Sequence, residues 1–238
     1  MTGSLAQVTI LIESAVRRFG LYKTSLFHID SHCDEDLVDG IENLVNRPLG
    51  FEVNCNSVLI RSDKNIIVDP GHFNMASYGI ITARLKELNL DISDIDAIVN
   101  THCHDDHTGA NYLFRGKKLY IHQRELDFAR TIYWKEYVSA FFEILDVQRA
   151  GNMEIAEDVR IVETPGHTPG SMSVLVGTPE GLVAIIGDTA MTEREMKERE
   201  LSRWYTPEAK TDVNKSIDLI QSLHPSAIIL GHSRGMIR

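Results

Sequence analysis

Four times in this chain a short apolar run ends on a histidine or an aspartate. Ile95 to Asn100 leads into Thr101-His102-Cys103-His104-Asp105-Asp106-His107, and Val159 to Glu163 into Thr164-Pro165-Gly166-His167-Thr168-Pro169-Gly170. Leu182 to Gly187 is followed by Asp188-Thr189, and Ala227 to Leu230 by Gly231-His232-Ser233. Strands that finish on polar groups deliver them to one edge of a sheet sandwich, so the pattern restricts the fold and the site together. His102, His104, Asp106 and His107 spell H-x-H-x-D-H. Such a cluster cannot be buried without partners, and imidazole nitrogen with carboxylate oxygen suits zinc, iron or manganese. A surface histidine-rich loop would explain the cluster taken alone. It does not explain His167, Asp188 and His232, each placed at a further strand end.

Periodicity fills in the rest. Val8 to Ile12 reads as a buried opening strand, and residues 28–48 as a polar loop with a short helix. Asn56 to Arg61 and Asn65 to Asp69 form a strand pair that turns at Ser62-Asp63-Lys64. Residues 76–88 carry Ile80, Ile81, Leu85 and Leu88 on one helical face. Residues 123–145 read as one or two helices, Ser171 to Val176 as a strand, and 206–222 as an amphipathic helix. Strands with helices between them in each half predict an α/β fold of two αβ layers packed through their sheets. One domain over residues 1–238 is expected.

Composition narrows the partners. A formal net charge of −10 argues against a nucleic-acid surface, whose affinity comes from neutralising phosphates. No apolar run approaches the ~20 residues of a membrane span. The start lacks a basic segment followed by an apolar one, so a cytoplasmic location is expected. Cys33, Cys55 and Cys103 form no CxxC pair and are expected as free thiols.

On these motifs, together with Val68-Asp69-Pro70-Gly71, the stretch from Val58 to His232 resembles the metallo-β-lactamase superfamily. The resemblance implies a four-layer αββα sandwich of two mixed β-sheets flanked by helices, with two divalent metal ions at one edge. Zinc is the first expectation, and iron or manganese are the alternatives. It implies that His102, His104 and His167 hold the first ion, that Asp106, His107 and His232 hold the second, and that Asp188 bridges them. Asp69 matches an acid that orients a ligand imidazole through its other nitrogen, although a strand-end turn acid accounts for it equally well. Cys103 and Asp105 fall at variable positions and are read as non-ligands.

The activity implied is hydrolysis of a small molecule by a metal-bound hydroxide. Asp106 is the catalytic acid-base group, accepting a hydrogen bond from the nucleophilic water and passing its proton on. The interval from His107 to His167 resembles lactonases of acylated homoserine lactones, which favours an ester, lactone or thioester. Those enzymes commonly carry a tyrosine soon after the bridging acid, where this chain has Thr189-Ala190-Met191. A phosphodiesterase or nuclease and a mono-iron sulfur dioxygenase of the same fold stay open as alternatives. His72, Ser233 and Arg234 adjoin the ligand motifs and are either substrate contacts or solvated loop residues. Tyr133, Trp134, Tyr137, Phe141 and Phe142 at helical spacing fit core packing, with a substrate lip or a homodimer contact as the sharper alternative. The mixed-sign run Glu193 to Glu200 reads as a solvated helix face.

Overall fold

The computed structural model describes residues 5–18, 28–30, 51–77, 79–129, 132–147, 153–233 and 237. The strands are β1 (Gln7–Ile12), β2 (Ala15–Arg18), β3 (His28–Asp30), β4 (Phe51–Asn54), β5 (Ser57–Arg61), β6 (Asn65–Val68) and β7 (Ala97–Val99). They continue as β8 (Lys118–Ile121), β9 (Glu143–Asp146), β10 (Met153–Ala156), β11 (Val159–Glu163), β12 (Met172–Thr178), β13 (Gly181–Ile185) and β14 (Ala227–Ile229). One sheet runs β1-β5-β6-β7-β8-β9, a second β10-β11-β12-β13-β14, and a small third β3-β2-β4. Both large sheets are mixed: β6 to β9 pair in parallel beside antiparallel β1 and β5, and only β13–β14 is parallel in the second.

Alternation along the strands builds three apolar layers. In β5, Val58 and Ile60 face the core between the sheets, where they meet Ile161, Val174, Ile185 and Ile229 of the second sheet. Leu59 points the other way and joins Ile67, Ile98 and Leu119 under Met75, Ile81, Leu85 and Phe114. On the far side, Val162, Leu175 and Ala184 are covered by Val213, Ile217 and Ile220 of helix Pro207–Ser222. Helices therefore close both outer faces, which gives the αββα order. Among the described residues no helix is long and apolar enough to cross a membrane.

Three expectations are refined. The helix read over 76–88 is two helices, Phe73–Ser77 and Ile80–Glu87, because Gly79 adopts φ 69°, a left-handed conformation that ends one helix and starts the next. Within 123–145, helices Gln123–Phe128 and Ile132–Phe141 are followed by β9, whose residues pair in parallel with β8. Within the loop read over 28–48, His28–Asp30 is a strand; residues 31–48 lie outside the described residues.

Candidate metal centre

Parallel and antiparallel pairings orient β11, β13 and β14 alike, so the segments that follow them come to one edge. His102 follows β7; His104 precedes the one-turn helix Asp105–Thr108, which carries Asp106 and His107. His167 lies in the β11–β12 loop, Asp188 in the 3-10 turn Gly187–Thr189, and His232 after β14. Gly231 makes the approach of the last two elements possible, since a Cβ there would collide with Asp188 Oδ1.

The structure brings all seven of these side chains together, in two groups that share Asp188. In the first, His104 Nδ1 is 3.0 Å from both His102 Nε2 and His167 Nε2, and Asp188 Oδ2 is 3.2 Å from His167 Nε2 and 3.8 Å from His102 Nε2. In the second, His232 Nε2 is 3.4 Å from His107 Nε2 and 3.2 Å from Asp106 Oδ2, and Asp106 Oδ2 is 3.8 Å from His107 Nε2. Asp188 Oδ1 stands 3.3 Å from His107 Nε2 and 3.4 Å from His232 Nε2. Ligands bound tetrahedrally at about 2.0–2.2 Å sit roughly 3.3–3.6 Å apart, so both groups have the spacing of a coordination shell. Asp188 Oδ1 is buried and has no hydrogen-bond partner among the described residues, as expected of an atom whose partner is a cation. The donor chemistry and the spacing both fit divalent metal ions.

The outer nitrogens of the imidazoles are engaged as well. Asp69, 2% exposed, accepts from Thr101 N (2.8 Å), Thr101 Oγ1 (2.6 Å) and His107 Nδ1 (2.8 Å). Because the Thr101 hydroxyl donates to that carboxylate, its lone pair is left to accept from His102 Nδ1 at 3.2 Å. His167 Nδ1 is hydrogen-bonded to Tyr205 Oη at 2.7 Å, and His232 Nδ1 is 3.4 Å from Ser14 Oγ. The Asp69 carboxylate thereby makes Nδ1 the protonated nitrogen of His102 and His107 and turns their Nε2 toward the cluster, and the Tyr205 and Ser14 hydroxyls can serve His167 and His232 in the same way.

Electrostatics follow the two groups. Burial pulls the pKa of His102, His104 and His167 down, that of His167 to about 4, so this group is neutral and ready to donate. Burial acts the same way on His232, but Asp188 and Asp106 overcome it and hold its pKa at about 10. His107 is likewise held well above the imidazole range by Cys55, Asp188, Asp106 and Asp69 against its burial. Burial raises the Asp106 carboxyl, yet His107 and His232 bring it down to about 2; His232, His107 and His167 likewise hold Asp188 well below the carboxylate range against its burial. The second group thus carries compensating charge that a metal would displace as protons.

The residues read as non-ligands lie outside the shell. Cys103 is buried, with burial raising its thiol pKa, and Asp105 is exposed. Cys55 forms a further buried cluster with Asp69 and His107 behind the site, where burial pushes its thiol up to about 12. His72 Nδ1 accepts from Asn74 N two residues on, and Ser233 Oγ accepts from Glu193 N, tying its loop to the start of helix Glu193–Glu198. Arg234 and the side chains of Tyr133 and Trp134 lie outside the described residues. Phe142 is core and Tyr137 half-buried, whereas Phe141 is 44% exposed.

Tyr205 and Ser14 carry no local signature, because each meets its histidine only through the fold, and nothing in the sequence around Thr101 or Glu195 marks them out. Replacing Tyr205 with Phe leaves His167 Nδ1 without its hydroxyl partner. Metal affinity is then expected to fall about ten- to a hundredfold, read by chelator competition against wild type. Glu195 corrects the reading of Glu193 to Glu200 as a solvated face: it is 1% exposed, with Oε2 accepting from Met191 N at 2.7 Å and Oε1 unpartnered among the described residues. Burial pushes its carboxyl from 4.5 up to about 7. The folded state thus keeps a proton that the unfolded chain releases. The stability this group contributes is complete below pH 4.5 and is lost as pH rises through about 7. Glu195→Gln, neutral throughout, should therefore gain on wild type in melting temperature across that range; a constant difference would contradict the assignment.

A model of the metallo-beta-lactamase superfamily matches residues 50–232. A probable metallo-hydrolase of Methanocaldococcus jannaschii is 30% identical over 187 residues, 73% of this chain and 83% of that protein. An N-acyl homoserine lactonase of Bacillus thuringiensis is 25% identical over 151 residues, 62% of this chain and 60% of the lactonase. The match therefore spans less than two thirds of the lactonase. Among solved structures, a single-site mutant of B. thuringiensis AiiA with N-decanoyl-L-homoserine at its active site superposes with a TM-score of 0.67 at 20% identity, covering 98% of this chain and 94% of the other. That last likeness is one of fold.

Proposed function

The chain belongs to the metallo-beta-lactamase superfamily and is a metal-dependent hydrolase, and from that premise we propose a dinuclear enzyme, built on one domain, that opens a lactone or a related ester or thioester. The observation that carries the dinuclear reading is Asp188. Its two oxygens face different groups, Oδ2 toward His167 and His102, Oδ1 toward His107 and His232. His102, His104 and His167 would hold one divalent ion, zinc in the first instance, and Asp106, His107 and His232 the other. Two such ions supply Lewis acidity and bring the pKa of water toward neutrality.

The chain's own groups do the rest. Asp106 is a carboxylate at neutral pH, and its side chain is 24% exposed where those of His102, His107, His167, Asp188 and His232 are 8% or less. It is the most exposed of these six side chains. Asp106 accepts a hydrogen bond from the attacking water, takes its proton, and returns it to the leaving oxygen or sulfur. The Asp69–Thr101 and Tyr205 bonds hold the imidazoles still while charge moves.

The lactone preference draws on the B. thuringiensis relative, which acts on N-acyl homoserine lactones by its name. A small acylated lactone is the first substrate to test, alongside simple esters, thioesters, phosphodiesters and β-lactams, with zinc, manganese or iron added. Turnover of the lactone or of an ester or thioester is expected. Turnover of phosphodiesters alone would overturn the reading.

A further inference from the structure

We propose that Glu125 is a positioning residue, whose buried carboxylate latches the loop of His102 and His104 to the loop of His167 and so sets how firmly the ion between them is held. The inference rests on the dinuclear reading. Glu125 lies on helix Gln123–Phe128 and has no exposed surface. Its Oε2 accepts from Cys103 N at 2.9 Å, and its Oε1 accepts from Gly170 N at 2.7 Å. Cys103 is the residue between His102 and His104, and Gly170 lies three residues after His167 in the loop between β11 and β12. One side chain therefore spans both loops, with each oxygen committed to a different one.

The surroundings are built for that contact. At Gly170 a Cβ would come within 2.9 Å of Glu125 Oε1 and 3.0 Å of its Cγ and backbone nitrogen, so any larger residue would push the carboxylate away. The helix is itself anchored. His122 caps it by accepting from Arg124 N at 3.0 Å, and His122 Nε2 is 3.5 Å from Glu163 Oε1, at the end of β11 just before the His167 loop. Another link between the two loops is Met172 N to Thr101 O at 2.9 Å, at their strand ends. Glu125 closes the outer side.

Glutamine at 125 keeps the volume but offers only one acceptor oxygen, so one of the two backbone donors meets an amide group that cannot accept. Cobalt-loaded Glu125→Gln is therefore compared with cobalt-loaded wild type by chelator-driven release and visible absorption, with circular dichroism reporting the fold. One of the two equivalents is expected to leave about ten- to a hundredfold faster. Its ligand-field band should shift, and the other equivalent should leave at the wild-type rate. Release of both equivalents at wild-type rates, or equal acceleration of both, would overturn the latch. Should Glu125→Gln fail to fold, Gly170→Ala displaces the same carboxylate from the other side and is held to the same selective outcome. Failure of wild type to take up two equivalents would instead strike the dinuclear reading beneath it.

Discussion

Replacing Asp188 with asparagine is expected to lower hydrolysis by about three orders of magnitude, the loss of several kcal/mol of charge stabilisation, and to leave the protein with fewer than two metals per chain. The variant keeps the size of the side chain and the 3-10 turn that presents it. What it removes is the negative charge between the two groups. In the metal-free protein that charge is the largest influence raising the His232 pKa. The variant should therefore bring His232 down toward the imidazole range, a shift readable by following its ring resonances with pH. Gly231→Ala should reproduce the metal loss, since its Cβ would displace the same carboxylate. Full metal content and unchanged turnover in Asp188→Asn would remove the reason for calling the site dinuclear.

Asp69 is expected to give the largest effect on stability. Its carboxylate satisfies three buried donors, two on Thr101 and one on His107, and it does so from φ 48°, a left-handed backbone that aspartate and asparagine tolerate better than most residues. Alanine there strands the donors and strains the backbone. A loss of about 3–5 kcal/mol is expected, lowering the melting temperature on the order of 10 °C. Asparagine separates the two contributions. It suits the backbone but cannot accept all three bonds, so Asp69→Asn should melt closer to wild type while binding metal more weakly. Equal metal affinity in Asp69→Asn and wild type would show that the carboxylate serves the turn and not the imidazole.

Much of this site was legible before any fold was known, because its chemistry is concentrated at strand ends. His102, His104, Asp106 and His107 declare themselves by spacing. His167, Asp188 and His232 declare themselves by following apolar runs, and the alternation in β5 and β11 places those runs in a sandwich. What was not legible depends on contacts between distant segments. Tyr205 meets His167 across 38 residues, and Ser14 approaches His232 across 218. Glu125 looks in sequence like an ordinary helical acid, yet it is buried, because its helix packs the carboxylate onto the backbone of two site loops. β9 was hidden in the helical run 123–145, since an edge strand of four residues paired to β8 leaves little periodicity of its own.

The central claim is that two ions, shared through Asp188, are needed for hydrolysis. It is tested most directly by titrating zinc into the metal-free protein while following hydrolysis of an acylated homoserine lactone or whichever ester, lactone or thioester the screen identifies. The account predicts activity that saturates at two equivalents per chain, and an Asp188→Asn variant that neither reaches two equivalents nor recovers wild-type turnover. Full activity at one equivalent, with no further gain at the second, would contradict it.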